Sequence, residues 1–169
     1  VPDRNNSEYH FQQDVLSLLD GSWDMIVAHP PCTYLTTTGA RWLYDSRFPN
    51  RIQQREEAVE FVKLFWDAAP KVCIENPVGY LSTAWQKPTQ IIQPYEYGHD
   101  ASKKTCLWLK GLDKLIPTDI VDVTYVTTST GKRFSKWYWD TSRKRGEERR
   151  KERSKTFEGI ASAMAEQWG

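Results

Sequence analysis

A chain of 169 residues is about one domain long, enough to bury a real core and short for two. With 27% charged and 39% hydrophobic residues it reads as a soluble globular protein. No apolar run approaches the roughly 18 residues of a membrane span, so neither a span nor a secretory leader is expected, and the expected location is cytoplasmic.

From Tyr9 a short strand-like piece leads to Asp14, a suitable N-cap for a short helix or turn through Leu19, and Asp20-Gly21 breaks it. The stretch DMIVAH, residues 24–29, reads as a strand apolar on both faces, the kind that parallel sheets bury completely. A loop with Thr36, Thr37, Thr38 and Gly39 follows. Residues 51–69 carry Ala58, Phe61, Val62, Phe65, Trp66 and Ala69 at helical spacing with charge opposite. KVCIENP, residues 71–77, reads as a second short buried strand. Strand, helix and strand in that order predict a parallel pair with a crossover helix, and hence an α/β fold with a mostly parallel sheet and flanking helices.

Beyond a Pro- and aromatic-rich loop, residues 77–94, KTCLWLKGL is a third strand candidate and DIVDVTYVTT a β-branched stretch before Gly131. FEGIASAMAEQW closes the chain as a helix with Ile160, Met164 and Trp168 one turn apart. No internal repeat appears, so residues 1–169 are read as a single domain.

Charge is unevenly spread. Residues 143–155 hold eight Lys/Arg against three Glu, a net of +5 that leaves −4 on the rest of a chain totalling +1. Such a segment suits phosphate contacts, or is simply a solvated face. Cys32, Cys73 and Cys106 are odd in number and widely spaced, which argues against a disulfide framework. No CxxC pair and no i, i+4 histidines among His10, His29 and His99 suggest zinc, and the zinc-deaminase pattern is absent, since Pro31-Cys32 is followed by Thr33-Tyr34-Leu35. No metal is expected.

In open α/β sheets, ligands bind outside the carboxyl ends of the strands. Cys32 and Glu75-Asn76 both fall at such ends, so two loops are expected to meet at one site. Cys73 and Cys106, inside apolar strands, read as small buried hydrophobes. Glu75 could instead cap a helix or pair with a lysine. His29 reads as a loop histidine with a small chance of tuning Cys32, and Trp42 and Tyr44 suit either base stacking or loop packing.

Pro31-Cys32 followed 43 positions later by Glu75-Asn76 resembles the S-adenosyl-L-methionine-dependent DNA cytosine methyltransferases that act on carbon 5, most closely the short phage-type members. Pro77 stands where that family usually has valine. The stretch YGHDASKKTCLWL, residues 97–109, occupies the place of its Tyr-Gly…Gln-x-Arg-x-Arg strand. Only Lys103 answers an arginine in charge, and Ala101 and Thr105 hold the other two signature positions.

The resemblance implies a Rossmann-like methyltransferase core and a set of roles. Cys32 would be the nucleophile and Glu75 the group that binds the target base, with Pro31, Asn76 and Lys103 also at the substrate. Asp14 matches an acidic residue that contacts the cofactor's adenine, with Val15 and Pro30 beside it. DNA is the implied partner, and residues 113–155 would form a small DNA-contacting insertion and basic segment.

The residue types suit that chemistry. Thiolate attack at carbon 6 concentrates electron density on carbon 5 for methyl transfer, and cysteine is both nucleophile and leaving group. A carboxyl group facing the ring nitrogen and amine stabilises the adduct. The target must be flipped out or already unpaired.

The family's Gly-rich cofactor loop lies upstream of the matching part and is not found between Val1 and Tyr9. The expectation is therefore a fragment, or a homologue that does not bind the cofactor. Two other readings stay open: a silent nucleic-acid-binding or regulatory module of the same fold, and a DNA amino-methyltransferase. The latter's Asn/Asp-Pro-Pro motif lacks its acceptor here, where His29 stands. Recognition sequence and oligomeric state are not legible.

Overall fold

The structure, a computed structural model, describes residues 10–20 and 22–169. Gly21 and the stretch Val1–Tyr9, the place considered for a Gly-rich loop, lie outside those residues. His10–Gln13 do not form the strand expected there. Asp14 does cap a short 3-10 helix, Val15–Leu18, its carboxylate accepting the Leu16 N–H at 3.0 Å.

The main sheet has the order β1 (Met25–Ala28), β2 (Lys71–Pro77), β4 (Thr105–Lys110), β3 (Gln90–Ile92). β1 and β2 pair in parallel and are joined by helix α1 (Arg51–Asp67), as the pattern predicts. β4 runs antiparallel to both β2 and β3. The α/β class therefore holds, but the expected mostly parallel sheet does not: one ladder of three is parallel, although β1, β2 and β3 all point the same way. The link from β3 to β4 contains only a 3-10 turn, Pro94–Glu96, and no crossover helix, so the chain doubles back beside β3.

Side-chain alternation along β2 and β4 divides the core between two faces. Val72, Ile74, Cys106 and Trp108 face α1, where Val59, Val62 and Phe65 are buried. Cys73, Leu107 and Leu109 face helix α5 (Glu158–Trp168), whose Ile160, Ala163, Met164 and Trp168 are buried as expected from their spacing. Each large apolar side chain so buried stabilises the fold by roughly 1.5–3 kcal/mol. α5 begins where Gly159 passes over the chain at Tyr97; a Cβ there would lie 1.9 Å from the Tyr97 carbonyl oxygen, so only glycine fits. The Gly159 N–H donates to His99 Nε2 at 2.9 Å, and Trp168 Nε1 donates to the Asp113 carbonyl at 3.0 Å, fixing both ends of α5.

β1 departs from its expected burial. It is the sheet edge, with Met25 and Ile26 half-buried and Val27 37% exposed. Its apolar run covers one neighbour, not two.

A short helix α2 (Leu81–Ala84) follows β2. Past β4, residues 113–155 contain a hairpin of β5 (Tyr125–Thr127) and β6 (Arg133–Ser135), then α3 (Lys136–Arg143) and α4 (Gly146–Ser154). Ser135 Oγ accepts the Tyr138 N–H at 3.3 Å and so starts α3. The basic segment is helical in α4, and part of its charge is paired internally, Lys144 with Glu148 at 3.2 Å and with Glu152 at 3.7 Å.

Candidate active site

Parallel register sets the site. Ala28 lies opposite Ile74, so the chain leaves β1 at His29 beside Glu75 of β2. His29 Nδ1 and Glu75 Oε2 are 3.1 Å apart, which makes histidine rather than lysine the partner of Glu75. One residue on, the buried Asn76 donates through Nδ2 to the Pro30 carbonyl at 3.0 Å. Asn76 thereby holds the loop ahead of Cys32, one of the two roles its amide could fill; its Oδ1 is buried without a partner.

Cys32 then opens a tight turn, its carbonyl accepting the Leu35 and Thr36 N–H groups at 3.0 and 3.2 Å. That turn is pinned to the chain after β2. The Tyr80 N–H donates to the Leu35 carbonyl at 2.7 Å, and a Cβ at Gly79 would lie 2.1 Å from the same oxygen. Two strand-end loops, those that follow β1 and β2, are thus locked together by backbone contacts.

The half-buried Cys32 thiol has its pKa raised, first by burial and then by the negative charge of Glu75. A backbone hydrogen bond, Lys103 and Arg153 act in the opposite direction. Cys73 and Cys106 are pushed further, to about 12 and about 11, again chiefly by burial. Both are fully enclosed, as expected of small buried hydrophobes.

Three spaces surround the loop His29–Cys32. An apolar groove of about 350 Å³ runs along the β1 edge, with Val15, Leu18, Phe61, Phe65, Pro30 and Pro31 among its walls. Among the described residues, its one ionisable lining residue is His29. A cleft of about 420 Å³ opens on the other side at Cys32, bounded by Thr36, Thr37, Thr38, Pro77, Val78 and Ser102 and by Lys103, Lys104, Trp137, Tyr138 and Arg153. Among the described residues, three cations and no carboxylate line it. Between them, Glu75 faces a space of about 20 Å³ shared with His29 and Lys103 and covered by residues 154–157. That is room for about one water.

The expected site residues therefore divide. Cys32 and Lys103 share the cleft, and Glu75 meets Lys103 from the adjoining small space. Val15 and Pro30 line the apolar groove, and Pro31 lines it too rather than the cleft. The exposed Asp14 is not among the groove's lining residues, and one of its carboxylate oxygens is used as a helix cap. Trp42 packs its loop, meeting Phe48 at 5.9 Å between ring centroids, whereas Tyr44 is 88% exposed.

Sequence reasoning did not find Ser102, Trp137, Tyr138 or Arg153 as cleft residues. The +5 segment contained Arg153, but only the fold turns it toward Cys32. The His29–Glu75 pair was accessible once the strands are set in parallel register.

Among the described residues no group of three or more His, Cys, Asp or Glu is placed to hold a metal ion, and no helix is long and apolar enough to cross a membrane. No protein-family model, curated protein or solved structure matches the chain.

Proposed function

We propose that this chain carries the cytosine-binding half of a DNA carbon-5 methyltransferase site, with Cys32 as the nucleophile and Glu75 as the group that meets the base. The observation that carries the reading is electrostatic. Cys32 stands at the end of β1, within the field of Glu75 at the end of β2, and opens on a cleft lined by three cations and no carboxylate. A polyanionic strand is drawn to such a cleft, and a thiol beside a carboxyl group is what addition to carbon 6 needs.

Burial and then the charge of Glu75 raise the Cys32 pKa, while Lys103 and Arg153 lower it. In the proposed addition Cys32 Sγ bonds to carbon 6 as the ring nitrogen of the base takes up a proton, a transfer that the Glu75 carboxyl group would assist. Electron density then sits at carbon 5. Carbon 5 would then bond to an electrophile, the methyl group or, without cofactor, a solvent proton; loss of the original carbon-5 proton to water, return of the ring-nitrogen proton and departure of the thiolate from carbon 6 restore the ring.

The groove along β1 fits the neutral ring of the expected cofactor, since its walls are apolar and its volume is that of a small-molecule pocket. Val15 and Pro30 would hold that ring. Its lining offers no charged group other than His29 for an amino-acid end. When bound, S-adenosyl-L-methionine supplies the methyl group.

A second reading, a silent nucleic-acid-binding module, draws support from the covered Glu75 and the raised Cys32 pKa. One experiment separates the two. Thiolate addition at carbon 6 lets carbon 5 exchange its hydrogen with solvent, so an oligonucleotide incubated with the protein in D₂O should gain one deuterium per target cytosine without any cofactor. Mass spectrometry should find that gain with the native chain and none with Cys32→Ser. Exchange that survives the serine change removes Cys32 from the mechanism, and DNA binding with no exchange favours the silent module.

A further inference from the structure

The aromatic wall of the Cys32 cleft is left unexplained by the reaction chemistry. α3 presents Trp137 and Tyr138 to the same space as Cys32, Lys103, Lys104 and Arg153. Tyr138 is already engaged, stacked on Phe134 at 5.5 Å and carrying the Arg153 guanidinium 5.1 Å from its ring. Trp137 differs. It meets Phe157 at 5.4 Å with the rings tilted by 57°, and among the described residues it has no parallel-stacked partner. None of the three cleft cations is ion-paired among the described residues, whereas Lys144 and Lys155, which do not line the cleft, are. Ser102, Thr36, Thr37 and Thr38 add hydroxyl donors.

A flat apolar ring, cations without a carboxylate partner among the described residues, and hydroxyls in one cleft match a nucleotide: a base with a π face joined to a phosphate. We infer that Trp137 is a stacking platform for a base next to the target cytosine, with Arg153 and Lys104 on the intervening phosphates, and that the preferred substrate is an unpaired DNA strand. This rests on the proposed function for the identity of the target, but not for the binding itself. A neighbouring base held within a duplex is stacked on both faces and has none to offer, whereas every base of a single strand can present one. Tyr138, fixed between Phe134 and Arg153, sets the guanidinium so that base and phosphate are met together.

The test uses labelled deoxyoligonucleotides of about twelve residues with one cytosine, within the usual footprint of single-strand binders. Fluorescence anisotropy is read for the native chain as a single abasic position is walked along the strand. One position beside the cytosine should weaken binding by roughly 5- to 150-fold, the range for loss of one stacked base. Trp137→Leu, which keeps an apolar side chain against Phe157 but removes the π face, should weaken the intact strand by a similar factor and leave the abasic strand unaffected. Arg153→Gln should instead lower the salt slope by about 0.7, the value of one single-strand phosphate interaction, while abasic sensitivity remains. The complementary duplex should bind more weakly than the strand. An abasic walk without effect in the native chain overturns the platform whatever any variant does, and equal binding of duplex and strand overturns the preference. Deuterium exchange is scored separately: Trp137 coupling without exchange leaves the platform standing and removes the methyltransferase reading.

Discussion

The two sides of the His29–Cys32 loop are built from opposite materials. On the β1-edge side, Pro30 and Pro31 face a groove of aliphatic and phenyl walls whose one ionisable group is His29. On the other, Cys32 faces three cations that have no ion-pair partner among the described residues, four hydroxyl side chains and two aromatic rings. A four-residue loop thus separates a space suited to a neutral heterocycle from one suited to a polyanion. The Cys32 pKa is raised first by burial and then by Glu75, and the charges that oppose this, Lys103 and Arg153, both stand on the cleft side.

The largest effect expected from that asymmetry is in thiol reactivity. Cys32 alone combines partial exposure with nearby cations, while Cys73 and Cys106 are enclosed, with pKa values of about 12 and about 11. Near pH 9 the thiolate fraction of Cys73 is on the order of one in a thousand. Iodoacetamide should therefore label Cys32 orders of magnitude faster than either buried thiol, as read by peptide mapping of the folded protein. Because the Cys32 pKa lies above its ordinary value, its labelling should still be rising with pH at about pH 9. Glu75→Gln removes the repelling charge and should accelerate labelling. Lys103→Gln and Arg153→Gln remove attracting charges and should slow it, most clearly at low salt. Labelling of Cys73 as fast as Cys32 would break the contrast.

A smaller effect is expected where the loop is fastened. Asn76→Ala leaves the Pro30 carbonyl without its amide donor in a buried setting, at a cost of about 1–3 kcal/mol. For a chain of this length that lowers Tm by several degrees in a thermal melt. Both sides of the loop should loosen together, so Cys32 labelling and, on the proposed reading, any adenosine binding in the groove should change in the same variant. A variant that melts as the native chain does would show that Tyr80 and Gly79 alone hold the loop.

What the sequence disclosed and what it hid follow from the same physics. Continuous apolar runs located β2 and β4, because both are buried on two faces, but such a run reports burial and not direction, so the reversal of β4 was invisible. β1 carries the same kind of run and is nevertheless an edge. Periodicity alone placed α1 and α5 correctly, down to Ile160, Met164 and Trp168. In the site, strand-end position found Cys32, Glu75 and Asn76. The opposite wall was not legible, because Trp137 and Arg153 lie more than a hundred residues from Cys32 in the chain and reach it only through the hairpin and α3. Lys103 was marked by resemblance; its hydrogen bond to the Arg153 carbonyl at 3.1 Å, which ties the two walls, carries no sequence signal.

The smallest and most uniform effect is expected from the outer face of the basic segment. Arg143, Lys144, Arg145, Arg149 and Arg150 contribute to the +5 charge but are not among the lining residues of the Cys32 cleft. Lys144 is engaged by Glu148 and Glu152, so it attracts phosphate less than an unpaired cation does. Changing all five to alanine should weaken single-strand binding by a similar factor for every sequence and reduce the salt slope by roughly 0.7 for each side chain that had neutralised a phosphate. Because Lys144 is already paired, the four arginines set the upper limit of that reduction. Abasic sensitivity at the position beside the cytosine should persist, because stacking on Trp137 does not depend on distant charge. An unchanged salt slope would confine phosphate binding to Lys103, Lys104 and Arg153, sharpening the contrast between the cleft and the rest of the surface. A sequence-dependent loss would mean that α4 itself reads bases, and the boundary drawn at the cleft would have to move outward.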